Sequence, residues 1–274
     1  MYSKMLVALD GSKLAEQILP IVRWLVKASA IPIELFTVAD PDARTPFWPA
    51  EVDEKYLKQI AAEYFTSSQV TCTLETGEPA AAITDRAKDD KNCLIAMATH
   101  GVSGLRRWML GSIASKVVQT AVNPLLLIRP VENSAPAIDC RELFVPLDGS
   151  ALAESVLPHV SGLAKTMKVK VRLVQVFTLP KSPFVVADGM FDQGPAVFRE
   201  ARRKEAEEYL PAKVEELRAD GVESVTASAL EGDAASEIVD MARAARDNLI
   251  AMCSHGRSGV TRWMLGSVAE RVIQ

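Results

Sequence analysis

The chain has 274 residues, 49% of them apolar and 24% charged, the balance of a soluble globular protein and not of a disordered, collagen-like or coiled-coil chain. At about 100–200 residues per domain, this length is read as two domains. Lys and Arg number 31 against 35 Asp and Glu, a net charge of −4. That balance argues against a nucleic-acid binder, since phosphate neutralisation needs a basic face, and gives no pull towards an acidic membrane.

In chain order, residues 4–9 form a short apolar run that reads as a buried strand. Asp10 follows directly, so the N-terminus is read as a strand and not as a signal peptide, and the cytoplasm is the expected location. Asp10, Gly11 and Ser12 are turn and helix-start residues, with Ser12 as a candidate N-cap. Leu14, Ile18, Val22 and Leu25 then recur at helical spacing. The richest apolar stretch, residues 18–36, is interrupted by Arg23, Lys27 and Glu34, whereas a spanning helix needs about 20 nearly uncharged residues. A second strand is read over 31–39, a proline-rich loop over 40–50, a helix over 51–65 and a strand over 69–74. Gly77 and Pro79 open another helix to about Lys88. A buried strand over 93–97, a glycine-bearing loop, a helix from Ser112 and a last strand over 125–128 complete the unit. Strands alternating with helices imply right-handed crossovers, and hence a doubly wound, Rossmann-like parallel sheet with helices on both faces. Ligands of such sheets lie beyond the carboxyl ends of the strands.

The chain then repeats itself. The segment LVALDGSKLAEQILP from Leu6 returns as FVPLDGSALAESVLP from Phe144, with ten of 15 positions identical at an offset of 138. THGVSGLRRWMLGSIASKVVQ from Thr99 returns from Ser254 with 13 of 21 identical at an offset of 155. The offsets differ by 17, so the second copy carries an insertion, placed in a long Pro- and Gly-bearing loop over 179–197 that is either a binding loop or a tolerated surface insertion. Pro130 to Cys140 reads as a linker, giving domains over 1–131 and 141–274 around a linker at 132–140. The second copy stops at Gln274, before any counterpart of the last strand, which is read as a trimmed end. Cys72, Cys93, Cys140 and Cys253 form no CxxC pair or metal spacing and are read as free thiols.

Two loops carry the chemistry. Gly101 is followed by Gly111-Ser112 at the start of a helix, and Gly256 by Gly266-Ser267 in the same arrangement. A helix N-terminus offers free amides and a partial positive charge to phosphate; the plainer reading is a structural turn with a serine. Arg106, Arg107 and Arg262 lie between the glycines, within reach of phosphate oxygens or simply solvated. Trp108 and Trp263 read as anchors of the same loops.

These features together resemble the universal stress protein family in its tandem form. The resemblance rests on the strand ending Asp10-Gly11-Ser12, on GEPA at Gly77 and GDAA at Gly232, and on the ATHG and CSHG loops leading to Gly-Ser. It implies two adenine nucleotide alpha hydrolase-like domains, each a five-stranded parallel sheet of order 3-2-1-4-5. It also implies a Gly-x2-Gly-x9-Gly-Ser/Thr loop holding ATP. The matching positions are Ala98, Gly101, Gly111 and Ser112 in the first copy and Cys253, Gly256, Gly266 and Ser267 in the second, so the first glycine is replaced in both. The resemblance further implies adenosine contacts from Asp10 and Asp148 and from the backbone at Val38 and Val176.

The expectation is an adenine-nucleotide-binding stress-response protein, taking ATP, AMP or ADP, with magnesium accompanying the nucleotide. The tandem would be an intrachain pseudo-dimer, alone or as a homodimer. No nucleophile triad, general base or carboxylate pair stands out, so no catalytic residue is assigned and turnover is expected to be slow or absent. The alternatives are a weak ATPase or adenylate-transferring enzyme, and a nucleotide-free dimerising scaffold.

Overall fold

A computed structural model describes residues 2–39, 53–66, 69–100, 110–131, 140–178, 194–245, 247–254 and 265–274. The chain divides into two compact units, one made mainly of residues up to 138 and the other mainly of residues from 139 onward.

The first unit runs β1 (Lys4–Ala8), a 3-10 turn (Ala15–Ile18), α1 (Leu19–Ser29), β2 (Ile33–Ala39), α2 (Glu54–Tyr64), β3 (Val70–Thr76), α3 (Pro79–Ala87), β4 (Cys93–Ala98), α4 (Ser112–Thr120) and β5 (Leu125–Ile128). Its five strands are all parallel and lie in the order β3-β2-β1-β4-β5. Such a sheet is covered on both faces, so its central strands are mainly apolar instead of alternating, with Glu34 and Thr37 of β2 as buried polar residues. Met5, Leu6, Val7, Leu35, Phe36 and Ile95 are all fully buried. Leu6, Phe36, Val38, Ile95 and Met97 pack with Ile83 of α3 and Val117 of α4. Met5 and Val7, one residue out of phase, face the other side.

The second unit repeats the order with β6 (Glu142–Pro146), α5 (Ala151–Glu154), α6 (Leu157–Met167), β7 (Lys170–Phe177), α7 (Gly194–Ala219), β8 (Val225–Glu231), α8 (Ala234–Ala244), β9 (Asn248–Ile250) and α9 (Ser267–Ile273). Its sheet is parallel, with the order β8-β7-β6-β9. Among the described residues it has four strands in the same 3-2-1-4 winding, in keeping with the sequence reading that the second copy stops before a counterpart of β5.

Two sequence readings change. The helix after Asp10-Gly11-Ser12 starts as a 3-10 turn and becomes α-helical only at Leu19, with Pro20 in the first turn, where its missing N–H costs no bond. The inserted segment is not loop to its end, because α7 already begins at Gly194. Residues 179–193 lie outside the described residues.

Candidate functional site at the carboxyl edge of each sheet

Because every strand is parallel, the residues following β1, β2 and β4 meet along one edge of the first sheet, with β1 in the middle. Asp10 leaves β1 through a tight turn. Its Oδ1 accepts from the Ser12 amide at 3.0 Å and the Ser12 hydroxyl at 2.6 Å, and Gly11 between them takes φ 80°. Ser12 Oγ in turn accepts from the Ala15 amide at 3.0 Å. The second unit repeats this at Asp148, Gly149 and Ser150, with 2.9 and 2.6 Å to Asp148 and φ 79° at Gly149. A left-handed residue flanked by Asp and Ser is a position glycine fills without strain.

Val38 is buried near the end of β2, and Val176 is half-buried at the same register of β7. The Ala39 carbonyl beside Val38 accepts from the Gly77 amide at 2.9 Å, and the Phe177 carbonyl beside Val176 accepts from Gly232 at 3.0 Å. Buried Thr37 donates to the Leu9 carbonyl at 2.8 Å, fixing β2 to the residue before Asp10. Its counterpart Gln175 is 8% exposed, and its Oε1 is buried without a hydrogen-bond partner among the described residues.

Ala98 ends β4 and is buried. Beyond it the chain leaves for residues 101–109 and returns at Gly111, whose amide donates to the Thr99 carbonyl at 2.9 Å. The second unit closes the same way, Gly266 to the Ser254 carbonyl at 2.8 Å. A Cβ added at Gly111 would stand 2.9 Å from the Thr99 carbonyl oxygen, so this closure admits only glycine without a shift. Gly111 caps α4 with no capping side chain, whereas α2, α3, α5 and α8 are capped by Asp53, Glu78, Ser150 and Asp233. Ser112 and Ser267 begin their helices exposed. In the second unit Cys253 is turned against α5, its Sγ 3.2 Å from Ser155 Oγ and 3.6 Å from the Ala153 carbonyl. Gly101, Gly256, Arg106, Arg107, Arg262, Trp108 and Trp263 lie outside the described residues.

Acid–base pairs fix the helix behind the Gly-Ser turn. Glu78 accepts from the Ala81 amide at 2.7 Å and pairs with Lys116 of α4 at 2.9 Å. Asp233 accepts from the Ser236 amide at 3.0 Å and pairs with Arg271 of α9 at 2.7 Å. Lys116 and Arg271 hold these carboxyls below the usual carboxylate range.

The sequence reading missed a second pair of contacts. Tyr56 of α2 donates to Glu16 at 3.4 Å, and Tyr209 of α7 donates to Glu154 at 2.9 Å, with Lys213 also on Glu154 at 2.8 Å. Burial first, then the neighbouring Glu16 and Asp10 charges, push the Tyr56 hydroxyl above its ordinary pKa. Burial and Glu154 do the same to Tyr209. Glu16 and Glu154 align in the repeat but the tyrosines do not, which hid them; the identical glutamates were the available signal.

Among the described residues no group of three or more His, Cys, Asp or Glu is placed to hold a metal, and no helix is long and apolar enough to cross a membrane. The sequence model of the universal stress protein family matches residues 1–129 and 141–274. Universal stress protein MJ0531 of Methanocaldococcus jannaschii is 32% identical over 136 residues, covering 49% of this chain and 76% of its own length. Universal stress protein YxiE of Bacillus subtilis is 30% identical over 148 residues, 47% of this chain and 100% of its own. Among solved structures, a universal stress protein from Archaeoglobus fulgidus superposes with a TM-score of 0.65 at 18% identity, over 100% of this chain and 95% of that one. The functionally unknown protein PA1789 from Pseudomonas aeruginosa gives 0.66 at 16% identity, over 99% and 89%. With both halves matched by one family and both folded on one winding, the chain belongs to the universal stress protein family, with two such domains in tandem.

Proposed function

We propose that this protein binds an adenine nucleotide at the carboxyl edge of each sheet and acts as a stress-response regulator without robust turnover. The observation that carries this reading is the Gly-Ser turn. Gly111 and Gly266 both return the chain to the end of the fourth strand by an amide–carbonyl bond, and Gly111 opens a helix with no capping side chain. First-turn amides without a cap suit a phosphate, and the Ser112 hydroxyl adds a donor. Asp10 and Asp148 offer carboxylate acceptors to ribose hydroxyls. The donor set thus fits ATP, with AMP or ADP bound through fewer phosphate contacts. Magnesium would arrive on the phosphates, since the described residues hold no cluster of ligands for it. The two copies make an intrachain counterpart of a dimer, to be checked by sedimentation.

Nucleotide released by heat from the purified chain and identified by chromatography tests this reading. Recovered ATP supports it. ADP accumulating from added ATP and magnesium supports slow hydrolysis instead, and a nucleotide-free protein that does not take up ATP supports a scaffold.

A further inference from the structure

The two copies share the turn that follows their first strand, Leu9–Ser12 against Leu147–Ser150, and the register of their first two strands, so the backbone of each β1-type strand can pair with either β2-type partner. Chains built from similar repeats misassemble by exchanging such elements. One pair of positions separates the copies. In the first unit Lys4 of β1 reaches Glu34 of β2 at 2.8 Å, and Glu34 is 3% exposed. The aligned positions in the second unit carry the opposite charges. Glu142 of β6 stands where Lys4 does, Arg172 of β7 stands where Glu34 does, and they pair at 3.1 Å. The strand registers coincide, Met5 opposite Ile33 and Leu143 opposite Val171.

The surroundings have changed with the charges. Glu34 also accepts from Thr73 at 2.8 Å and pairs with Arg86 at 2.7 Å; the aligned residues are Ser228 and the uncharged Met241. Arg172 instead lies over the Phe144 ring, 5.4 Å from its centroid, where the first unit has Leu6. Each site is thus furnished for its own sign.

We infer that this reversed ion pair is a pairing-specificity device that keeps the two copies from exchanging their first two strands. If β1 paired with β7, Lys4 would meet Arg172. If β6 paired with β2, Glu142 would meet Glu34 in a buried position. Both exchanged pairings set like charges together, and both native pairings set opposite charges together. Like charges facing across neighbouring strands oppose that pairing, and one buried face fixes the register in which they meet.

The test equalises the copies. Glu142→Lys with Arg172→Glu gives the second unit the charges of the first, keeping each native pair opposite in sign while making both exchanged pairings attractive. The full chain is unfolded in guanidinium, refolded at micromolar concentration, sized by chromatography and treated with a zero-length carbodiimide. This reagent joins an amine to a carboxylate in contact, and mass spectrometry identifies the joined positions. The double variant is expected to show cross-links from position 4 to 172 and from 142 to 34, and an exchanged or associated fraction about fivefold or more above that of the unaltered chain. The quadruple variant, which adds Lys4→Glu and Glu34→Arg, restores opposite signs between the copies and is expected to lose that excess. Cross-links confined to 4–34 and 142–172, with unaltered recovery, would overturn the inference. So would an equal loss of recovery in the double and quadruple variants, which assigns these charges to local stability alone.

Discussion

At Gly111 one residue meets two demands. The Thr99 carbonyl excludes a side chain there, and the same turn opens the helix that would receive phosphate. Replacing Gly111 therefore disturbs the loop before it reports on any ligand, and Ser112 is the cleaner probe. It is exposed, so Ser112→Ala is expected to change stability by no more than about 0.5 kcal/mol. Loss of one hydrogen bond to a charged group, about 1.5–3 kcal/mol, should still weaken ATP binding about tenfold or more, read by calorimetry. Glu34 is the stability counterpart. Burial raises its pKa, but hydrogen bonds from Arg86, Lys4 and Thr73 outweigh burial and hold it below the ordinary value of 4.5. Its stabilisation is thus present above that value and lost as pH falls through the lower folded one. Glu34→Gln is expected to cost about 1–3 kcal/mol at pH 7. Urea titrations should show the gap from the unaltered chain closing below pH 4.5, the ordinary value; a gap independent of pH would contradict this. The Asp-Gly-Ser turns were legible in sequence because their chemistry is local. Glu34 was not, since Lys4, Thr73 and Arg86 reach it from distant strands and a helix.

The element scale shows how the copies solve one problem differently. The helices that lead into β2 and β7, α1 and α6, both end in a left-handed non-glycine residue, Ala30 at φ 51° and Lys168 at φ 53°. A side chain in that region costs about 1–2 kcal/mol, more than the roughly 0.5–1 kcal/mol entropic cost of glycine. Ala30→Gly and Lys168→Gly are accordingly expected to raise the melting temperature, by about 2–4 °C each. The turn after α3 is held by Asn123 before β5, whose Nδ2 donates to the carbonyls of Ala87 at 3.1 Å and Asp90 at 2.8 Å. In the second unit Asn248 of β9 donates to the aligned carbonyls of Ala242 and Ala245, a role given there to the residue that aligns with Cys93. The long helix α7 was the least legible element. Its last 11 residues, 209–219, align with α2, and Pro211 inside it reads as a breaker. Ahead of that stretch the described side chains are mostly charged and exposed, apart from buried Ala206, and form pairs such as Arg203–Glu207 at 2.8 Å.

For the whole molecule, the architecture follows from the repeat. Two copies of one alternation of strands and helices gave two parallel sheets with the same winding, and the candidate sites lie where the carboxyl ends of parallel strands share an edge. The copies differ where ligands would report it. Ala98 against Cys253, and Thr37 against Gln175, make the two edges chemically unequal. The most direct test is a calorimetric titration of the full chain, freed of bound nucleotide, with ATP and magnesium, repeated with triphosphate and with adenosine alone. Saturable ATP binding at two unequal sites, weakened at the first by Ser112→Ala and approached only poorly by either fragment, is the expected result. An absence of ATP binding, or binding that Ser112→Ala leaves unchanged, would contradict a nucleotide site on the Gly-Ser turn.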